Sequence, residues 1–150
     1  MKLLSIIAFQ SALAGVFADA IHAPRVDQDN TLDRCDGLNL GPPKFGLGKL
    51  HASCWVEQQD GQWIVSDTTL DLNDCIANVD GTMVGVAEGH FAKTCNNIKV
   101  QREHNGLVTL TATCKSRHGK VDASTKLDFI KNNAGRLSCF HIAGASSLPM

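Results

Sequence analysis

Apolar and polar positions alternate with a period of two along much of the chain. Val108, Leu110, Ala112 and Cys114 form one face of a segment whose other face is Thr109, Thr111 and Thr113. Leu50, Ala52, Cys54 and Val56 repeat the pattern. Such alternation, with β-branched residues on the polar side, predicts half-buried β-strands. Ile98, Val100 and Arg102 alternate ahead of Asn105-Gly106, a hairpin turn signal, and Val108 to Cys114 returns. Asp80-Gly81 is a second such signal, before a strand over Thr82 to Val84. The stretch from Leu72 to Asn78 is too short for a stable α-helix, and Asn73 as a cap predicts one helical or 3₁₀ turn there. Phe91 is expected in the core. Trp63 alternates with Val65, a pattern that leaves it open between core and surface.

The alternating segments come twice. The interval from Cys35 to Cys54 equals that from Cys95 to Cys114, and Leu50-His51-Ala52-Ser53-Cys54 is matched by Leu110-Thr111-Ala112-Thr113-Cys114. Asp60-Gly61 is matched by His118-Gly119, Leu70-Asp71-Leu72 by Leu127-Asp128-Phe129, and the stretch from Ile76 to Met83 by that from Ile130 to Leu137. This is an internal duplication with a period of about 60 residues, repeat 1 at about 33–86 and repeat 2 at about 87–140.

Six cysteines and the N-terminus set the compartment. Met1-Lys2, the apolar run Leu3 to Phe17 and the small residues after it predict a secretory signal peptide over residues 1–20, cleaved after Ala18 or Ala20. That run is shorter than the roughly 20 apolar residues a membrane span needs, and no later stretch is apolar enough. A secreted, extracellular, soluble protein is expected. The segment from Ile21 to about Thr31 is left as a propeptide or a loose arm. An even cysteine count on an oxidising route predicts three disulfides, with 15 pairings open.

Composition removes other classes. With 43 % hydrophobic and 19 % charged residues the chain is an ordinary globular one. A net charge of −1 gives no support for nucleic acid or a membrane surface as partner. There is no Cys-x-x-Cys and no His-x-x-x-His, so no metal and no cofactor is expected. His22, His51, His104, His118 and His141 share no spacing and read as surface or turn residues. No Gly-x-Ser-x-Gly, no singled-out carboxylate pair and no obviously unpaired cysteine is present, which argues against an enzyme.

The full pattern, Cys…Leu-x-Ala-x-Cys…Leu-Asp-Leu-Asn-x-x-Ile-x-Asn-x-Asp-Gly…Phe-x-x-Thr-Cys and a second round, resembles the cyanovirin-N homology family, secreted lectins of two tandem repeats, in its fungal type. The resemblance spans about residues 33–140 within a domain at 32–143. It implies an all-β, cyanovirin-N-like fold in which two intertwined repeats form two pseudo-symmetric halves, with short 3₁₀ turns. Half A would hold about 32–74 and 129–143, and half B about 75–128. It implies the disulfides Cys35–Cys54 and Cys95–Cys114. Cys139 follows Gly135-Arg136-Leu137-Ser138, where fungal-type members also carry a cysteine, and the remaining pair is expected to be Cys75–Cys139.

The resemblance also implies a function. A single site in half B would bind terminal α-linked mannose, α1,2-linked, in mannose-containing glycans. Its residues would be Asn78, Asp80, His90, Lys93, Thr94, Lys115, Ser116 and Arg117, with the arginine as a lid. Ala77 and Lys93 stand where the family can carry acidic side chains. Half A would use Asp33, Arg34, Trp55, Val56, Glu57, Asn132 and Asn133. Ala134 lacks the carboxylate that Asp80 supplies, so this second site is expected to be weakened or absent. Carboxylates, amides and a guanidinium fork suit vicinal hydroxyls. The expected state is a monomer or a domain-swapped dimer. The competing reading is a secreted interaction or effector protein that keeps the fold without lectin activity.

Overall fold

The computed structural model describes residues 32–148; the expected signal peptide and the arm after it lie outside the described residues. The described chain is built from β-strands and short 3₁₀ turns. Repeat 1 forms β1 (Cys35–Leu40), β2 (Lys49–Glu57) and β3 (Trp63–Asp71), then the hairpin β4 (Ile76–Val79) and β5 (Thr82–Gly85). Repeat 2 forms β6 (Cys95–Arg102), β7 (Val108–Ser116) and β8 (Gly119–Lys126), then the hairpin β9 (Ile130–Asn133) and β10 (Arg136–Cys139). Two short strands follow, β11 (Ile142–Ala143) and β12 (Ala145–Ser146).

The β1–β2–β3 and β6–β7–β8 segments are antiparallel meanders in the same register. Cys35 faces Cys54 and Cys54 faces Ser66; Cys95 faces Cys114 and Cys114 faces Val121. Each first strand carries a bulge at the same place, with a left-handed residue in it, Gly37 in β1 and Asn97 in β6. The hairpins then cross over. The β9–β10 hairpin of repeat 2 packs on β3, and the β4–β5 hairpin of repeat 1 packs on β8. The halves are therefore intertwined. Half A holds β1–β3 with β9–β12, and half B holds β4–β8. Strand β12 pairs with the outer edge of β3, Ala145 opposite Thr69 and Ser146 opposite Thr68.

The alternating residues explain the packing. Leu50, Leu70, Leu110, Leu127, Ile130 and Leu137 point inward and are fully buried, and the threonine face of β7 stays outside. Phe91 is fully buried in the same core. Three disulfides, Cys35–Cys54, Cys95–Cys114 and Cys75–Cys139, pin it. The first two join directly opposed residues of a strand pair, with Cα atoms 4.0 Å apart in each. The third joins the end of β10 in half A to the residue before β4 in half B.

The turn at Leu72–Asp74 forms as a single 3₁₀ turn, but Asn73 is not its cap. Asp71 holds the cap position, and its carboxylate accepts from the Asn73 amide at 3.0 Å. Asn73 sits inside the turn, where its side chain does longer-range work. Its Nδ2 donates to the Leu47 carbonyl at 2.8 Å, and its Oδ1 accepts from the Ala92 amide at 3.0 Å. Asn73 thus ties three loops together, which a cap position would not allow. His51 also departs from the surface reading: it lies half-buried on β2, its Nδ1 is 2.9 Å from the Thr69 hydroxyl, and its Nε2 is buried. Among the described residues, no helix is long and apolar enough to cross a membrane.

Candidate functional site

The β4–β5 turn organises the candidate site in half B. Asp80 and Gly81 form a two-residue connection, both with positive φ (52° and 90°), between the paired Val79 and Thr82. The Asn78 side chain locks it, its Oδ1 accepting from the Gly81 amide at 2.7 Å. Gly81 is required for a second reason. A Cβ there would lie 2.4 Å from Val121 and 3.0 Å from Ser116, so the turn seats directly against the end of the β7–β8 hairpin.

That contact brings residues of both repeats together. Asn78 Nδ2 donates to the Thr94 hydroxyl and to the Lys115 carbonyl, each at 2.9 Å. The Lys115 amide donates to the Thr94 carbonyl at 2.9 Å, joining the turn before β6 to the end of β7. Asp80 receives Arg117 twice. The Arg117 amide donates to Oδ1 at 2.7 Å and its Nε donates to Oδ2 at 2.6 Å. These two bonds, the backbone one first, hold the Asp80 carboxyl below its ordinary range, against a small opposing desolvation. The arginine side chain is 73 % exposed, so its guanidinium stands largely in solvent. Ser116 turns back, its hydroxyl donating to the Gly119 carbonyl at 3.0 Å and so closing the β7–β8 turn.

Six of the eight expected half-B residues, Asn78, Asp80, Thr94, Lys115, Ser116 and Arg117, therefore lie in one connected group. His90 and Lys93 flank it on the adjoining 3₁₀ turn (Phe91–Lys93). Both are exposed. His90 has left-handed backbone (φ 52°) and is bridged to Ala77 of β4.

Half A shows the same scaffold with different chemistry. Asn132 Oδ1 accepts from the Gly135 amide at 2.8 Å, the counterpart of the Asn78–Gly81 bond. A Cβ on Gly135 would lie 2.5 Å from Val56 and 2.7 Å from Ser66. By register these are the counterparts of Ser116 and Val121, so the small and the branched side chain have exchanged places. The polar pair is missing. Ala134 stands at the Asp80 position with φ 48°, and Glu57 stands at the Arg117 position. Asn132 is 7 % exposed and Asn133 lies outside. In place of Thr94 and Lys115 are Arg34 and Trp55. Arg34 lies over the ring of Trp63, 4.8 Å from its centroid, and Asp33 stands exposed beside it.

Trp63 is thus at the surface, 45 % exposed, and on the same sheet face as Trp55. The alternation alone could not place it. The signal that places it is the hairpin register around Asp60-Gly61, which sets Glu57 opposite Trp63 and Trp55 opposite Val65.

Two open hollows lie away from these groups. One, about 510 Å³, is lined by Asn39, His51, Ser53 and Asp67 on half A; the other, about 590 Å³, by Asn97, Lys99, Thr113 and Asp122 on half B. They are the same feature twice, the concavity left by the bulge in each sheet. Neither contains a residue of the Asp80 group, and we place the candidate site at that group because its polar side chains converge there. Among the described residues, no group of three or more His, Cys, Asp or Glu is placed to hold a metal ion.

Comparison with known proteins gives the same outline. The chain resembles the solution structure of the CVNH protein of Gibberella zeae, with 26 % identity and a TM-score of 0.60 over 74 % of this chain and 97 % of that one. It resembles microvirin, solved as a mannobiose complex, with 28 % identity and a TM-score of 0.55 over 71 % and 94 %. A MoCVNH3 variant solved with an N-acetylglucosamine tetramer shares the fold, at 16 % identity and a TM-score of 0.58 over 75 % and 97 %. No curated protein sequence matches this chain. The model of the CVNH domain matches residues 33–138, most of the chain, and the protein belongs to the CVNH family.

Proposed function

We propose that the protein is a secreted lectin that binds terminal α-linked mannose, α1,2-linked, at a single site in half B. The observation that carries the reading is the Asp80–Arg117 pair beside Asn78, Thr94 and Lys115. Asp80 supplies acceptors for vicinal hydroxyls, and the remaining guanidinium nitrogens of Arg117 supply donors in a fixed plane. Because Asp80 already orients Arg117, little side-chain ordering is left to be done when sugar arrives. His90 and Lys93 would form the flank. Family membership and the mannobiose complex of a relative at 28 % identity support the same choice. Three disulfides and a signal-peptide-like N-terminus support secretion. The site works by binding and performs no reaction.

Half A lacks the Asp80–Arg117 equivalent and is not expected to bind mannose in this way. Calorimetric titration with α1,2-mannobiose tests the assignment. Asp80→Ala should weaken binding at least ten-fold, and Asn133→Ala should leave it unchanged. The reading fails if Asp80→Ala binds normally and Asn133→Ala does not. As a single site should bind weakly, tight binding of a branched glycan would require a dimer, including one formed by exchange of halves.

A further inference from the structure

The half-B sheet ends in a row of cations. Beyond the Cys95–Cys114 pair, the Lys115 amide bonds the Thr94 carbonyl, and Lys115 lies directly opposite Lys120. Side chains directly opposed in an antiparallel pair stand roughly 4.5–5.5 Å apart at Cβ, and like charges there destabilise the sheet. Both lysines are exposed, and so are Lys93, next to Thr94, and Arg117, next to Ser116. Among the described residues, no carboxylate pairs with Lys93, Lys115 or Lys120. Asp80 is taken up by Arg117, and Asp122, two residues along β8 from Lys120, accepts from the Thr113 hydroxyl at 3.0 Å. Within β6–β8 the outward charges are Lys99, Lys115, Lys120 and Lys126 against Asp122.

The internal duplication supplies a control. At the matching positions of half A stand Asp33 for Lys93, Trp55 for Lys115, Val65 for Lys120 and Glu57 for Arg117. The same register, bulge and hairpin form there without a cation at any of the four. The fold therefore does not call for the row. Lysine on an edge strand discourages edge pairing. That accounts for Lys120 on β8, but for neither Lys115 on the central strand β7 nor Lys93 on the 3₁₀ turn. The row also borders the candidate site directly. The Thr94 hydroxyl and the Lys115 carbonyl are the two acceptors of Asn78 Nδ2.

We infer that the half-B site takes a phosphorylated mannose, its phosphate held between Lys115 and Lys120 and its sugar at the Asn78, Asp80 and Arg117 group. A phosphate monoester carries a charge of about −1.5 to −2 at neutral pH. Lysine serves such a group as a point charge that needs no fixed angle. An anion seated there also relieves the repulsion between the two opposed lysines, a cost that the free protein carries. The inference deepens the lectin reading by naming the ligand class of the same site, and it rests on that reading for the placement of the sugar.

Calorimetric titration of the oxidised protein with methyl α-mannoside 6-phosphate and with methyl α-mannoside tests it. At low salt the phosphorylated sugar should bind about ten-fold tighter or more, and most of that advantage should vanish in about 0.5 M sodium chloride. Lys120→Gln should bring the two affinities together, and Lys120→Arg should keep them apart. Equal affinities in the unaltered protein overturn the inference, and so does an advantage that survives Lys120→Gln. Inorganic phosphate that binds as tightly as the sugar phosphate would reduce the row to a general anion patch and overturns it too. The amide shifts of Asn78 to Gly81 with α1,2-mannobiose decide the neutral lectin reading separately. If they move and phosphate brings no advantage, the lectin reading stands and this inference falls. If they stay still while the phosphorylated sugar binds, the inference stands and the neutral disaccharide falls.

Discussion

Asp80 shapes the half-B group through two atoms at once, fixing the Arg117 backbone with one carboxylate oxygen and its side chain with the other. Both bonds favour the ionised form, the backbone one most, which is why the carboxyl is held below its ordinary range. The sign follows directly. A depressed carboxylate stabilises the folded arrangement at every pH above the ordinary aspartate value of about 3.9, and the effect is lost as pH falls through the lower native value. The Arg117 amide and Nε–H resonances should hold still from neutral pH to about pH 5 and move only below the ordinary aspartate range; a midpoint at or above that range would contradict the contact. The residues of this site entered through the family resemblance, carried over onto Asn78 and Asp80 and onto Lys115, Ser116 and Arg117; alternation and the repeat did not single them out, since Ala134 and Trp55-Val56-Glu57 stand at the repeated positions. The contact itself was not legible from periodicity. It joins residues from different repeats, and only the crossing of the hairpins brings them together.

At the level of elements, the two crossing hairpins are one turn design used twice, and their differences make predictions. Gly81→Ala would place a Cβ 2.4 Å from Val121 on a backbone at φ 90°. Left-handed strain and overpacking together should lower stability by about 2–4 kcal/mol in urea unfolding. Ala134 already bears left-handed strain at φ 48° without a polar side chain to favour it. Ala134→Gly should raise stability by roughly 0.5–1 kcal/mol, read as a higher urea midpoint with an unchanged slope. Strands and turns were readable from alternation and from Asp-Gly and Asn-Gly pairs, because those signals are local. The misreading of Asn73 as a cap has a local cause too. Asp71 is as good a capping residue, and only the three-dimensional positions of Leu47 and Ala92 give the Asn73 side chain something better to do.

For the whole molecule, the crossing of repeats makes the Cys75–Cys139 bridge the longest covalent closure among the three disulfides, with a sequence separation of 64. By chain-entropy arguments it contributes about 4 kcal/mol, against about 3 kcal/mol for each within-sheet bridge of separation 19. Replacing both Cys75 and Cys139 by serine should therefore cost more stability than replacing both Cys95 and Cys114. Equal losses in paired urea curves would mean that the junction is already fixed by packing. The duplication was visible in the chain, but the exchange of hairpins between halves is not a property that a repeat alone dictates, and it entered through the family resemblance. The central claim is that polar groups of both repeats converge in half B on a mannose site. Amide NMR titration of the oxidised protein with α1,2-mannobiose tests it most directly. The account predicts shifts clustered at Asn78 to Gly81, Lys93 to Thr94 and Lys115 to Arg117, with Asn132 to Gly135 unmoved. A well-dispersed spectrum that does not change, or shifts centred on Asn132 to Gly135, would contradict it.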